Sequence, residues 1–169
     1  MVPVLSGDMR HVHSSLATTM EAARLIRHSM EQYVPTLELK GLRFDSVTLC
    51  GACGISSFVL HRVLNRLHVK NDFVMGRYVK KGWDFGQHCW VDVFEPQMRV
   101  DITATQFSIP AAVHVTSLTD SRYYKKCRNR TAIKQLKDWE DQSHLTNINE
   151  LMTIVDDVLY ELRDSGFVE

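Results

Sequence analysis

A surplus of charge is missing: 20 Lys and Arg balance 20 Asp and Glu, so only the histidines can tip the net charge. That removes any global electrostatic case for binding nucleic acid or an anionic membrane. Apolar runs are short as well, none approaching the ~20 residues needed to span a bilayer. The N-terminal stretch MVPVLSGDMRHVHSS contains Asp8 and no long apolar core, which reads as no secretory signal. Internal repeats, low-complexity tracts and Gly/Ser linkers are absent. The cysteines are only four: Cys50, Cys53, Cys89 and Cys127. In a chain without a secretory signal they read as thiols of a cytoplasmic protein, and a disulfide framework is not expected.

What is present is ordinary globular composition. Hydrophobic residues make up 44% and charged residues 24% of a 169-residue chain, enough for one domain over 1–169 with a core of its own. Leu16, Met20, Ala23, Ile26, Met30 and Tyr33 recur at helical spacing, predicting a helix from Ser14 to Tyr33 that Pro35 ends. Ile55, Phe58, Val59, Val63 and Leu67 predict a second helix from Cys53 to Leu67, with Gly51 and Gly54 at its start. The middle reads as an antiparallel meander. Its strands are Asp72 to Lys80, Gln87 to Phe94 and Met98 to Thr103, with a loop over Lys81 to Gly86 and a turn at Glu95-Pro96-Gln97. Leu118 to Gln142 looks polar and partly helical. Asn147 and Glu150 make a capping-box-like start to a last helix, which Gly166 closes. Helices packed on one antiparallel sheet make the expected class α+β.

Chemistry concentrates at Cys53, which opens the second helix in the run LCGACGISSFVL. A helix start offers unpaired N–H groups and partial positive charge, which favour thiolate over thiol. The same N–H groups can stabilise an oxyanion. A thiolate needs a base that returns a proton to the leaving group, and the base needs an orienting acceptor. His88, beginning a strand after a glycine-containing loop, is the candidate base. Asp101 lies on the next strand between Val100 and Ile102, where a lone charge in an apolar strand needs a partner.

The order CGISS, then HCWVDV, then VDITATQF, from about Cys50 to Phe107, resembles the transglutaminase-like superfamily within the papain-like fold, in a small single-domain form. The resemblance implies a Cys-His-Asp triad carried by Cys53, His88 and Asp101, with the nucleophile helix packed on an antiparallel sheet. It implies thioester chemistry on a protein, peptide or other amide substrate, ending in hydrolysis or amine transfer, with no cofactor or metal. Trp83, Phe85 and Trp90 are candidate walls of the cleft. Gln106 is a candidate for orienting His88 or lining the pocket. No upstream side chain stands out as a second oxyanion donor; Thr48 is available but unsupported.

Other readings use the same residues. Cys50-Gly51-Ala52-Cys53 before a helix suits a thiol–disulfide pair, but leaves His88 and Asp101 without a role. A zinc site from Cys50, Cys53, His88 and Cys89 fails on alternation, because adjacent strand residues point to opposite faces. A non-catalytic binding module on the same fold is the alternative from another class. Ser121 to Arg130 gathers Arg122, Lys125, Lys126, Arg128 and Arg130, with Tyr123 and Tyr124 available for stacking. That run reads as a solvated face, or else as a patch for an acidic partner.

Overall fold

A computed structural model describes residues 8–36, 49, 51–125 and 148–168. Three helices are described: α1 (Asp8–Tyr33), α2 (Cys53–Arg66) and α3 (Ile148–Asp164). They accompany strands β1 (Asn71–Lys80), β2 (Trp83–Phe94), β3 (Gln97–Asp101), β4 (His114–Thr116) and β5 (Tyr123–Lys125). The strands form one antiparallel sheet in the order β4-β3-β2-β1-β5. The fold is α+β, as expected.

Alternation along the strands sorts the core into two. Phe73, Cys89, Val91, Val93, Met98 and Val100 join the buried faces of the helices in the larger apolar cluster. Ala23, Ile26 and Met30 of α1, Phe58 and Val63 of α2, and Leu151, Val155, Val158 and Leu162 of α3 complete it. Leu16 departs from the expected inward stripe and is 37% exposed. The opposite face of the sheet carries a smaller cluster of Val74, Tyr78, Trp90, Ala104, Phe107, Ile109 and Tyr123.

Several boundaries differ from expectation. Helix α1 starts at Asp8 rather than Ser14, since no Gly or Pro interrupts the preceding residues. The expected loop over Lys81 to Gly86 is mostly strand. Lys81 and Gly82, with φ of 52° and 79°, make a two-residue hairpin turn between β1 and β2. A register shift between Arg77 and Val79, with Gly86 at φ 86°, marks a bulge that re-aims Phe85. Strand β3 stops at Asp101, and the chain turns into a short 3-10 segment, Ala104–Phe107. Of the region expected to be partly helical, Tyr123–Lys125 is a strand and residues 126–147 lie outside the described residues. Asn147 of the expected cap lies there too. The end of α3 closes as expected: Gly166, at φ 74°, donates to the Arg163 carbonyl, and Phe167 donates to that of Leu162.

The sheet also curls. Tyr123 sits on β5 at one edge, yet its ring touches Tyr78 of β1, Trp90 of β2 and His114 of β4. Only a concave sheet brings these strands around one side chain. Gly76 makes room within the concavity, because a Cβ there would run into the Trp90 ring and the Tyr124 carbonyl. Gly76→Ala should therefore lower stability by about 1–3 kcal/mol, as overpacking in a tight core does. A fall in the denaturant midpoint checks this; an unchanged midpoint would show that Trp90 can give way.

Candidate active site

Each member of the expected triad is placed by a different element. Cys53 is the first residue of α2 and is half-buried. The chain enters the helix through a tight turn. Leu49 and Gly51 have φ of 54° and 83°, and the Ala52 N–H donates to the Leu49 carbonyl at 3.0 Å. Ala52 provides no side-chain cap, so no side chain competes there for the first N–H groups of the helix.

His88 lies on β2 and Asp101 ends β3, both buried. The register pairs Val91 with Val100. One step further, Asp101 falls level with Trp90, and His88 follows two residues along on the same face. Such a diagonal neighbour is within reach of a long side chain. The contact is made: His88 Nε2 lies 2.7 Å from Asp101 Oδ2. The carboxylate can only accept, so Nε2 carries the proton and Nδ1 is left facing Gln106 and Cys53. Gln106 Nε2 lies 3.2 Å from Nδ1 and also donates to the Thr103 carbonyl at 2.9 Å.

Asp101 is saturated. Oδ2 accepts from His88 and, at 2.9 Å, from the Tyr123 hydroxyl. Oδ1 accepts from the Thr103 N–H at 2.9 Å and the Thr103 hydroxyl at 3.1 Å. Aromatic rings enclose the imidazole. Phe107 stands edge-on to it at 4.7 Å between centroids, and Tyr78 stacks on Phe107 at 4.0 Å.

The electrostatics follow from this packing. Burial would raise the Asp101 carboxyl, but the His88 charge and the hydrogen bonds of His88, Thr103 and Tyr123 hold it below its ordinary value. Burial alone would lower His88. The Asp101 charge and hydrogen bond, helped by Cys53, instead push it up to about 9. The Cys53 thiol is held well below the ordinary range, first by a hydrogen bond from the Cys89 thiol, against burial. The hydrogen bond and charge of His88 and the Cys89 backbone N–H add to this. Cys89 itself is pushed well above its ordinary value by that hydrogen bond and by burial.

The structure thus brings Cys53, His88, Asp101 and Gln106 together. Phe85 packs on Tyr78 and Phe107 with centroids 5.9 and 5.3 Å apart, and is half exposed beside them. Two expected cleft residues are placed otherwise. Trp90 is 0% exposed, sealed in the concave core, so it walls no cleft open to solvent. Trp83 is 75% exposed at the end of the hairpin. In the basic run, Tyr123 is buried and unavailable for stacking, while Tyr124 is exposed. Arg122 is bound to Asp120. Cys50 and Thr48 lie outside the described residues. Among the described residues, no group of three or more His, Cys, Asp and Glu side chains is placed to hold a metal ion. No helix there is long and apolar enough to cross a membrane.

Sequence reasoning missed Cys89, Thr103, Phe107 and Tyr123. Thr103 had a local signal, since a carboxylate readily accepts from the N–H two residues on. Cys89 was set aside because alternation turns it from His88, yet Cys53 lies where both reach it. No protein-family model, curated protein or solved structure matches the chain.

Two outcomes are expected. His88 is pushed up to about 9 in the fold from an ordinary 6.5, so its bond to Asp101 stabilises fully below about pH 6.5 and is lost as pH rises through about 9. The advantage of the parent over Asp101→Asn in thermal melts should therefore shrink by on the order of 2 kcal/mol between pH 6 and 10. A constant gap would show that His88 is neutral throughout. Separately, Cys89→Ala should move the onset of Cys53 alkylation to higher pH, and Cys89→Ser, which keeps a donor, should restore it. Equal profiles for the two variants would remove Cys89 from the site.

Proposed function

We propose that this chain carries out thiol-dependent acyl chemistry on an amide, through Cys53, His88 and Asp101 and a thioester intermediate. The observation that carries the proposal is the buried 2.7 Å bond between His88 Nε2 and Asp101, which leaves Nδ1 for the hydrogen bond that the ring makes with the helix-start Cys53. The proposed core is papain-like, of the transglutaminase-like kind: a nucleophile helix packed on an antiparallel sheet, flanked by N- and C-terminal helices.

In this mechanism the Cys53 thiolate attacks the amide carbon, and the charge moves onto the carbonyl oxygen. N–H groups at the start of α2 stabilise that oxygen. His88 Nδ1 gives its proton to the departing amine, and the carbon–nitrogen bond breaks to leave the thioester. Neutral His88 then takes a proton from water or an amine, which attacks the thioester and releases Cys53. Water gives a protease, amidase or deamidase; an amine gives a transglutaminase. The exposed edge of Phe85, packed on Phe107 beside His88, supplies apolar surface for the substrate. A reducing compartment such as the cytoplasm suits a working thiol.

The test is the rate of iodoacetamide alkylation at Cys53 against pH, resolved by peptide mass mapping. The parent should react well below the ordinary thiol value of about 8.5. His88→Ala should react about tenfold or more slowly at pH 6, with its onset moved toward that ordinary value. Identical free-thiol profiles in the two proteins would sink the triad and leave a non-catalytic binding module. A reversible Cys50–Cys53 disulfide required for activity would favour thiol–disulfide chemistry instead.

A further inference from the structure

The hydroxyl of Tyr123 shares Asp101 Oδ2 with His88, at 2.9 Å against 2.7 Å. It arrives from the far edge of the sheet, from a strand 22 residues beyond Asp101 in the sequence. Its ring is fixed on several sides. Tyr78 and Trp90 meet it edge-on at 5.0 and 5.1 Å, His114 stacks at 6.4 Å, and the buried Arg99 guanidinium lies 4.9 Å from its centroid.

The segment leading to it is braced as well. Asp120 accepts from the Thr116 hydroxyl at 2.8 Å and from the Arg122 backbone N–H at 3.0 Å. The Tyr123 N–H donates to the Asp120 carbonyl at 3.2 Å, and the Arg122 carbonyl accepts from the Val79 N–H at 2.7 Å. The hydroxyl therefore reaches Asp101 from a fixed direction.

We infer that Tyr123 is a positioning residue for the nucleophile: it holds Asp101 in the rotation that receives His88 Nε2–H, and so keeps Nδ1 aimed at Cys53. The inference rests on the proposed triad. Burial and the Asp101 charge push the phenol upward, so it keeps its proton and can only donate to the carboxylate. The Thr103 donors both act on Oδ1 and, without Tyr123, would leave Oδ2 held by the His88 ring alone and able to swing with it. Tyr123 is the second anchor that prevents this. A swing would weaken the hold on the imidazolium, and a less stabilised imidazolium supports less thiolate.

The experiment is the pH profile of Cys53 alkylation by iodoacetamide in the parent, Tyr123→Phe and Asp101→Asn, with the nitrogen-15 shifts of His88 read alongside. Tyr123→Phe keeps the ring and its packing. Its thiolate onset should move to higher pH by about half a unit or more, as loss of a hydrogen bond to a charged group requires. The neutral His88 should also lose part of its Nε2–H tautomer. A merely structural hydroxyl would change melting temperature and leave both readouts in place. An onset that coincides with the parent, while Asp101→Asn moves it, overturns the inference and spares the triad. An onset unmoved in Asp101→Asn as well overturns the triad, and the inference with it. If Tyr123→Phe does not fold, Asp120→Ala, which loosens the brace outside the site, replaces it. A smaller shift in the same direction then supports the inference, and a profile coincident with the parent overturns it.

Discussion

A carboxylate with no solvent contact governs this fold. Burying Asp101 unpaired would cost far more than any local interaction returns. It is tolerated because hydrogen bonds from His88, Tyr123 and both donors of Thr103 take up its oxygens. Those donors come from β2, from β5 and from the turn after β3. Helix α1 locks that turn from the other side. The buried Arg27 guanidinium donates to the Ile102 carbonyl at 2.7 Å and to the Thr105 hydroxyl at 3.0 Å. The helix layer, the middle of the sheet and its far edge must therefore all be in place before the carboxylate is satisfied.

The two faces of the sheet divide the work. The face under the helices is apolar and closes chiefly by burial. The concave face is aromatic and charged, and it holds a second buried ion pair. Arg99 meets Asp92 at 2.7 Å, directly across the β2–β3 ladder, with Trp90 donating to the same oxygen at 3.0 Å. Such a pair adds little net stability over an apolar replacement, since desolvation offsets the attraction. Its value here is positional. Arg99 lies over both Trp90 and Tyr123, at 5.0 and 4.9 Å, and also donates to the Leu118 carbonyl at 3.2 Å. It fixes the ring whose hydroxyl completes the Asp101 shell and ties down the crossing chain that delivers it.

This division explains what the sequence made legible. The helices announced themselves by apolar periodicity, and the aliphatic face of β2 and β3 by its Val residues. Cys53 was visible from its place at a helix start. Asp101 was visible as a charge between Val100 and Ile102, and its strand neighbour His88 followed from a short turn. The concave face was hidden for a physical reason. Its members are joined by the curl of the sheet, and curl leaves no short-range pattern. Strands β4 and β5 have three residues each, too few for alternation to register. Tyr123 lay inside a basic run that reads as a solvated face. Trp90 was misplaced for a related cause: an aromatic beside a candidate site looks the same in sequence whether it faces a cleft or seals a core.

The charges of the site carry a consequence for the two halves of the proposed reaction. Two sources lift His88 to about 9 above the pull of burial: Asp101, the larger, and the Cys53 thiolate. In the proposed reaction both act before acylation and favour a thiolate facing an imidazolium, with the proton on the group that must hand it to the leaving amine. Acylation removes the thiolate charge and uses that proton. The imidazole is then neutral and able to act as base, but Asp101 and its hydrogen bond persist, so the ring regains a proton readily. Deacylation thus works against the carboxylate that made acylation favourable. The extent of that opposition is set by how strongly Asp101 holds the ring. A hydroxyl that keeps the same carboxylate oxygen turned toward the ring sustains that hold, so the Tyr123 contact bears on both half-reactions at once.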